Sequence, residues 1–345
     1  VKWLQRMSLP VGIAALIWLV VHEGFGDLMR VIGQAGFVLL WLVPFHALPL
    51  LLDAHAWRLL LRKQASLPFL WWVATVREAV SRLLPVASIG GEIVGIRLAR
   101  WRVLDTSFVS ASVIVEVLVT ITVQYAFSAL GLVLIVATTH DTNGWRAIGL
   151  SLLLSLPLLL FGVALVRRGG IFHVIESWAG RVLGDAHPLL QGINGKRLDQ
   201  EIDALMRCSG LLLRAFSYQL GGYVLGAAEV YWALAWLGHP VSVSGSVAIE
   251  ALIQALRHAA FFVPAGIGIQ EFAVVMLAQI FGVDRETALS MALVKRMREV
   301  VFGVFALASW QLVELIRGST QIQHAIPPAN AAHRKRLAPA VIDGD

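Results

Sequence analysis

The chain has 345 residues, of which 58% are hydrophobic and only 14% charged, with a mean hydropathy of +0.75. A soluble domain is about 45–50% apolar with glycine counted and about 25% charged, so this composition excludes a soluble globular enzyme, a disordered chain and a nucleic-acid-binding domain. The net charge of +6 then marks cytoplasmic loops facing anionic lipid, with no nucleic-acid partner, and the single cysteine, Cys208, excludes an internal disulfide and a thiolate zinc cluster.

A membrane-spanning helix needs about 20 mostly apolar residues. Residues 3–21 form the first such run. Lys2 and Arg6 stand at its N-terminal end as in a signal peptide, but no small-x-small cleavage pattern follows, so it reads as an uncleaved span. Residues 35–52, continuing toward Trp57, form the second. Residues 68–101 fit no full span: a short helix, a break from Pro85 to Gly90 and Gly91, then a second short helix from Glu92. Residues 117–139, reaching back to Thr106 if Glu116 is tolerated, and 147–166 are the third and fourth spans. The loop at 170–208 carries two apolar helical stripes, the second made of Leu198, Ile202, Leu205 and Met206, which predict cytoplasmic interfacial helices. Residues 211–237 are the fifth span; 247–281 repeat the broken pattern at Pro264, Gly266 and Gly268; residues 287–316 are the sixth. The Pro/Ala-rich stretch 318–345 reads as a disordered cytoplasmic tail.

Proline removes a backbone donor and glycine frees the torsions, so both short-helix pairs should break where these residues cluster. Each arm is too short to cross a bilayer comfortably, and each pair reads as a re-entrant hairpin. The two segments align at a shift of 179: Pro85 falls on Pro264, Glu92 on Glu271, Asp105 on Asp284, and Glu116 on Lys295. Three full spans lie between them, an odd number that reverses the side of entry, as in the inverted repeats of many transporters. Two ordinary hairpins crossing a thinned bilayer are the alternative. The expected fold is an all-α polytopic membrane protein: one integral domain over 1–317, about six full transmembrane helices and two inverted-repeat re-entrant hairpins. The Lys and Arg bias of the loops places both termini in the cytoplasm.

Charge within a membrane costs roughly 2.5–3.5 kcal/mol per centred residue on insertion scales, so it marks partners or a pathway. The candidate path residues are Arg77, Arg82, Glu92, Arg97, Glu116, Arg257, Glu271, Lys295, Arg298 and Glu299. Lys295, Arg298 and Glu299 share one helical face, while Arg296 points elsewhere, to a neighbouring helix or the headgroup layer. The positive excess on that helix needs a partner, either Glu116 or Glu271 or an anionic substrate group, and the repeat predicts a Glu116–Lys295 pair. Basic residues at a membrane cavity suit a phosphate headgroup. The blander readings are that these charges only pair with one another, and that Glu92 and Glu271 only cap helices. His46, Asp53 and His55 match no zinc spacing, and no nucleotide, serine-hydrolase or zinc-protease motif occurs, so no metal, cofactor or catalytic residue is expected.

The strings Arg82-Leu-Leu-Pro-Val-Ala-Ser-Ile-Gly-Gly-Glu92, followed by Arg97, and Phe262-Val-Pro-Ala-Gly-Ile-Gly-Ile-Gln-Glu271 resemble the lysylphosphatidylglycerol synthase transmembrane, or flippase-like, family. Within it the chain is most similar to the hopanoid-biosynthesis-associated subgroup. The resemblance implies a lipid translocase of the bacterial inner membrane, acting on an anionic phospholipid or a hopanoid-type lipid, with Arg82, Glu92, Arg97, Glu271, Lys295 and Arg298 near its path. No counterpart of the family's soluble aminoacyl-transferase domain is seen, so no enzymatic activity is expected. The alternatives are a membrane-embedded headgroup transferase and a non-transporting scaffold for hopanoid or glycolipid biosynthesis enzymes. The driving force is left open between a lipid gradient and proton movement through the glutamates.

Overall fold

The computed structural model describes residues 36–83, 90–139, 143–170, 194–259 and 269–325. All regular structure among them is helical. Helix α1, Phe37–Leu60, opens with a 3-10 turn, Phe37–Trp41. The chain then turns through Arg62 and Lys63, both left-handed (φ 48° and 61°), into α2, Leu67–Leu83. Helices α3, Gly90–Ala99, and α4, Thr106–Thr139, follow, then α5, Asn143–Arg168, and α6, Gly195–Met206. The second half holds α7, Ser209–Trp236, α8, Val243–Ala259, α9, Ile269–Ile280, and α10, Arg285–Ala325.

Among the described residues, three helices are long and apolar enough to cross a membrane: Phe37–Leu60, Thr106–Thr138 and Arg285–Arg317. They coincide with the second, third and sixth spans read from sequence. The fourth and fifth runs are also helices, α5 and α7, whereas residues 3–21 lie outside the described residues. Helix α5 leaves Leu153, Leu154 and Phe161 more than 60% exposed, a surface that hydrocarbon accommodates and water does not. Helix α10 runs on to Ala325, beyond the Gly318 at which a disordered tail was expected.

Both broken segments are helix pairs. Helix α2 packs on α3, and α8 on α9. The tips, including Pro85, Pro264, Gly266 and Gly268, lie outside the described residues. Gly90 and Gly91 belong to the first turn of α3, two residues earlier than the start expected at Glu92. Gly91 acts through its size: a Cβ there would collide with Ser81 and the Arg77 carbonyl, so glycine lets α3 close onto α2. The repeat is visible in the element starts. Thr106 opens α4 and Arg285, 179 residues later, opens α10. Asp105 accepts the Phe108 N–H (3.2 Å) and Asp284 accepts the Thr287 N–H (2.9 Å), so aligned carboxylates cap the two long helices. The Thr287 N–H holds the Asp284 carboxyl below its ordinary range.

The loop stripe of Leu198, Ile202, Leu205 and Met206 is buried, and α6 packs on α4 and α5. That corrects the interfacial reading, since protein and not lipid covers this face. Arg197 pairs with Asp105 beside it. The other stripe lies outside the described residues.

Small residues set the closest helix approaches, as expected where lipid supplies no hydrophobic drive between helices. A Cβ on Gly131 of α4 would come within 2.5 Å of the Ala251 Cβ on α8. Gly131→Leu should therefore force α4 and α8 apart at a cost of about 1–3 kcal/mol, read as a lower thermal unfolding midpoint in detergent. Gly162→Leu on α5, where nothing lies within 4 Å, should leave that midpoint unchanged.

Candidate functional site

The apolar helices enclose a polar cavity of about 250 Å³, walled by residues of α1, α2, α3, α4, α7, α8 and α10. Its lining includes the charged residues Asp53, Arg77, Glu78, Arg82, Glu92, Glu229, Glu250 and Arg298. Each charged group sits on an otherwise apolar helix, and the cost of burying it is offset only if a partner from another helix meets it.

The first group centres on Arg77 of α2. Its Nη1 donates to both oxygens of Glu116 on α4 (2.9 and 3.1 Å), and its Nη2 donates to Glu92 on α3. The guanidinium lies 4.7 Å from the centroid of the Trp57 ring. Gly95 makes room, because a Cβ there would stand 2.5 Å from the Arg77 Cδ. Asp53 of α1 faces the same space and accepts a long hydrogen bond from Gln219 Nε2 (3.4 Å), whose oxygen in turn accepts from Thr120 (3.2 Å).

A second group gathers on Glu299 of α10. Its carboxylate lies 3.2 Å from Arg82, 3.3 Å from Arg257, 3.4 Å from Arg296 and 3.9 Å from Arg298. Arg296 also meets Glu271 at the start of α9 (3.1 Å). Of the two directions left open for Arg296, the neighbouring helix is the one it takes. Arg298 pairs with Glu229 of α7, and Lys295 donates to Glu250 of α8 at 2.5 Å, an oxygen pair that also accepts from Gln254 at 2.8 Å.

The expected Glu116–Lys295 pair does not form. Each partner is taken by the hairpin arm of its own half: Glu116 by Arg77 of α2, Lys295 by Glu250 of α8. The positive excess on α10 is likewise met internally, by Glu229, Glu250 and Glu271. Of the path residues read from sequence, Arg77, Arg82, Glu92 and Arg298 line the cavity. Glu116, Arg257, Glu271, Lys295 and Glu299 stand behind that lining as ion-pair partners. Arg97 is exposed on the last turn of α3 and does not line the cavity. His46, Asp53, Glu78, Glu229 and Glu250 also line the cavity and were not among the candidate path residues, although Glu78, Glu229 and Glu250 stand out in the sequence as charges in apolar segments. The signal was present: Asp53 and Glu229 are lone carboxylates in runs otherwise able to span a bilayer.

Breaking a buried pair costs about 3–5 kcal/mol, because the remaining charge is left without a partner. Lys295→Glu alone should sharply lower the thermal midpoint in detergent, and Glu250→Lys combined with it should recover most of the loss. Equal midpoints for the single and double variants would show that the pair does not form.

The family described as Lysylphosphatidylglycerol synthase TM region matches residues 7–306. No curated protein and no solved structure matches the chain at a significant level. The matched region contains both helix pairs and every ionic group of the cavity. The chain belongs to the lysylphosphatidylglycerol synthase transmembrane-region family, a family of membrane proteins tied to lipid biosynthesis or translocation.

Proposed function

We propose that this protein is a lipid translocase of the bacterial inner membrane that moves an anionic phospholipid or a hopanoid-type lipid between leaflets, without nucleotide hydrolysis or covalent chemistry. The observation that carries this reading is the ion-lined cavity of about 250 Å³ inside a bundle whose outer faces are apolar. A polar headgroup enters such a space while its chains remain in the surrounding lipid. In this reading the chain has about six full spans, both termini are cytoplasmic, and α2–α3 and α8–α9 are oppositely oriented re-entrant hairpins whose tips approach the midplane. The 179-residue spacing between the starts of α4 and α10 and the aligned Asp105 and Asp284 caps support that arrangement. The hopanoid subgroup, and docking to lipid or hopanoid biosynthesis enzymes, belong to the same proposal.

Because the cavity's guanidiniums already face carboxylates, a phosphate binds by competing for one of them. Arg82 is the best placed. Its side chain is 20% exposed against 6% for Arg298, and Glu299 keeps other guanidiniums if Arg82 turns away.

The test is reconstitution in proteoliposomes with headgroup-labelled phosphatidylglycerol. Translocation should exceed that of empty vesicles; equal rates would refute the proposal. Arg82→Gln should slow it roughly ten- to a hundredfold, the loss of one charge-assisted contact of about 1.5–3 kcal/mol, with little change in thermal midpoint. Charge reversal at Lys295 or Arg298 is a poorer probe, since both sit in buried pairs and folding should fail with transport.

A further inference from the structure

His46 lies on α1 with each ring nitrogen against a different carboxylate. Nδ1 is 3.0 Å from Glu229 Oε1 on α7, and Nε2 is 2.9 Å from Glu78 Oε2 on α2. All three side chains line the cavity, and they are largely buried, at 10%, 4% and 16% exposure for His46, Glu229 and Glu78. The Phe302 ring of α10 stands edge-on to the imidazole at 5.3 Å.

The protons can be counted. A neutral imidazole carries one N–H, and an ionised carboxylate carries none. With both nitrogens at hydrogen-bonding distance from carboxylate oxygens, one contact would set a nitrogen lone pair against an oxygen lone pair. One further proton removes the conflict, either on the second ring nitrogen or on one of the carboxylates. The other charges facing the group do not remove it. Arg82 reaches Glu78 (3.4 Å) and Arg298 reaches Glu229, but both also face Glu299, so each divides its charge between two carboxylates. Asp53, on the same helix as His46 and lining the same cavity, adds negative charge; Glu250 of α8 is held by Lys295.

We propose that His46, Glu78 and Glu229 form a proton-binding site open to the cavity, and that its occupancy controls the tie between the first hairpin and α7. With the proton bound, α2 and α7 are both hydrogen-bonded to one imidazole. Without it, one of the two contacts parts. Placed in the path of the translocase reading, on which this part rests, the site makes the proton the coupling ion.

The full chain in nanodiscs, titrated with pH and followed by infrared difference spectroscopy, reads imidazole and carboxyl protons together. Wild type should show a titration step bearing both imidazole and carboxyl bands, and His46→Gln should lose it. Glu78→Gln is the sharper variant. Its amide donates to Nε2 while Nδ1–H donates to Glu229, so both contacts form without the extra proton. The step should vanish while the thermal midpoint is kept. A wild-type titration without the step, or a step unchanged in both variants, would overturn the site. In proteoliposomes an imposed pH gradient should alter lipid translocation several-fold in wild type and not in Glu78→Gln; a response retained by Glu78→Gln would overturn the coupling. If no translocation occurs at all, the translocase reading and the coupling fall together, and the spectra still decide the proton site on their own.

Discussion

An ion moved out of water into a low-dielectric interior loses several kcal/mol of solvation, and only a well-placed opposite charge restores it. This chain accepts that constraint repeatedly around one cavity, and the helix arrangement follows from it. Arg77 needs Glu116 and Glu92, so α2, α3 and α4 must converge. Lys295 needs Glu250, and Arg296 needs Glu271, so α8, α9 and α10 must converge as well. Apolar packing sets how closely the helices approach, through Gly131 against Ala251 and Gly91 against Ser81. It is the ion pairs that fix which helices meet and at which height, because a shifted register would leave a buried charge alone.

The two halves use the same plan with opposite signs. In the first, a hairpin-arm arginine holds a glutamate of the long helix; in the second, a hairpin-arm glutamate holds a lysine of the long helix. Glu116 and Lys295 align in the repeat, which explains why each was expected to pair with the other. Sequence equivalence, however, fixes where a residue sits in its own half and carries no distance to the other half. The charged contacts between the halves run instead through Glu299 and His46, residues with no charged counterpart in the repeat.

Much of this was legible in the sequence for physical reasons. Apolar runs of span length reveal the helices, and the 179-residue shift aligned Asp105 with Asp284, the carboxylates that cap α4 and α10. That Arg77, Glu116, Lys295, Arg298 and Glu299 would be buried and need partners was legible too, since charge in an apolar run is costly wherever its partner lies. The partners were not legible, because they come from helices far apart in sequence: Glu299 from Arg82, and Glu229 from His46. Helix α6 was misread for a related reason. An amphipathic stripe states that one face is covered, and the same pattern serves a lipid surface and the flank of α4.

Glu78 is where these strands meet. One of its oxygens faces His46 and the other faces Arg82, which in turn reaches Glu299. A proton that places more positive charge on the imidazole strengthens its hold on Glu78 and weakens the claim of that carboxylate on Arg82. In the proposed translocase, Arg82 is then freer to leave Glu78 for a phosphate headgroup in the cavity. Removing the proton returns Glu78 to Arg82 and disfavours the bound anion. Under the proposed function and proton site, proton and anion therefore favour each other although neither touches the other, and by linkage the effect is reciprocal: a phosphate that draws Arg82 away raises the affinity of the triad for its proton. A network in which every guanidinium is already paired is suited to this. It never exposes an unpaired charge to hydrocarbon, yet it lets a ligand enter by exchanging one partner for another.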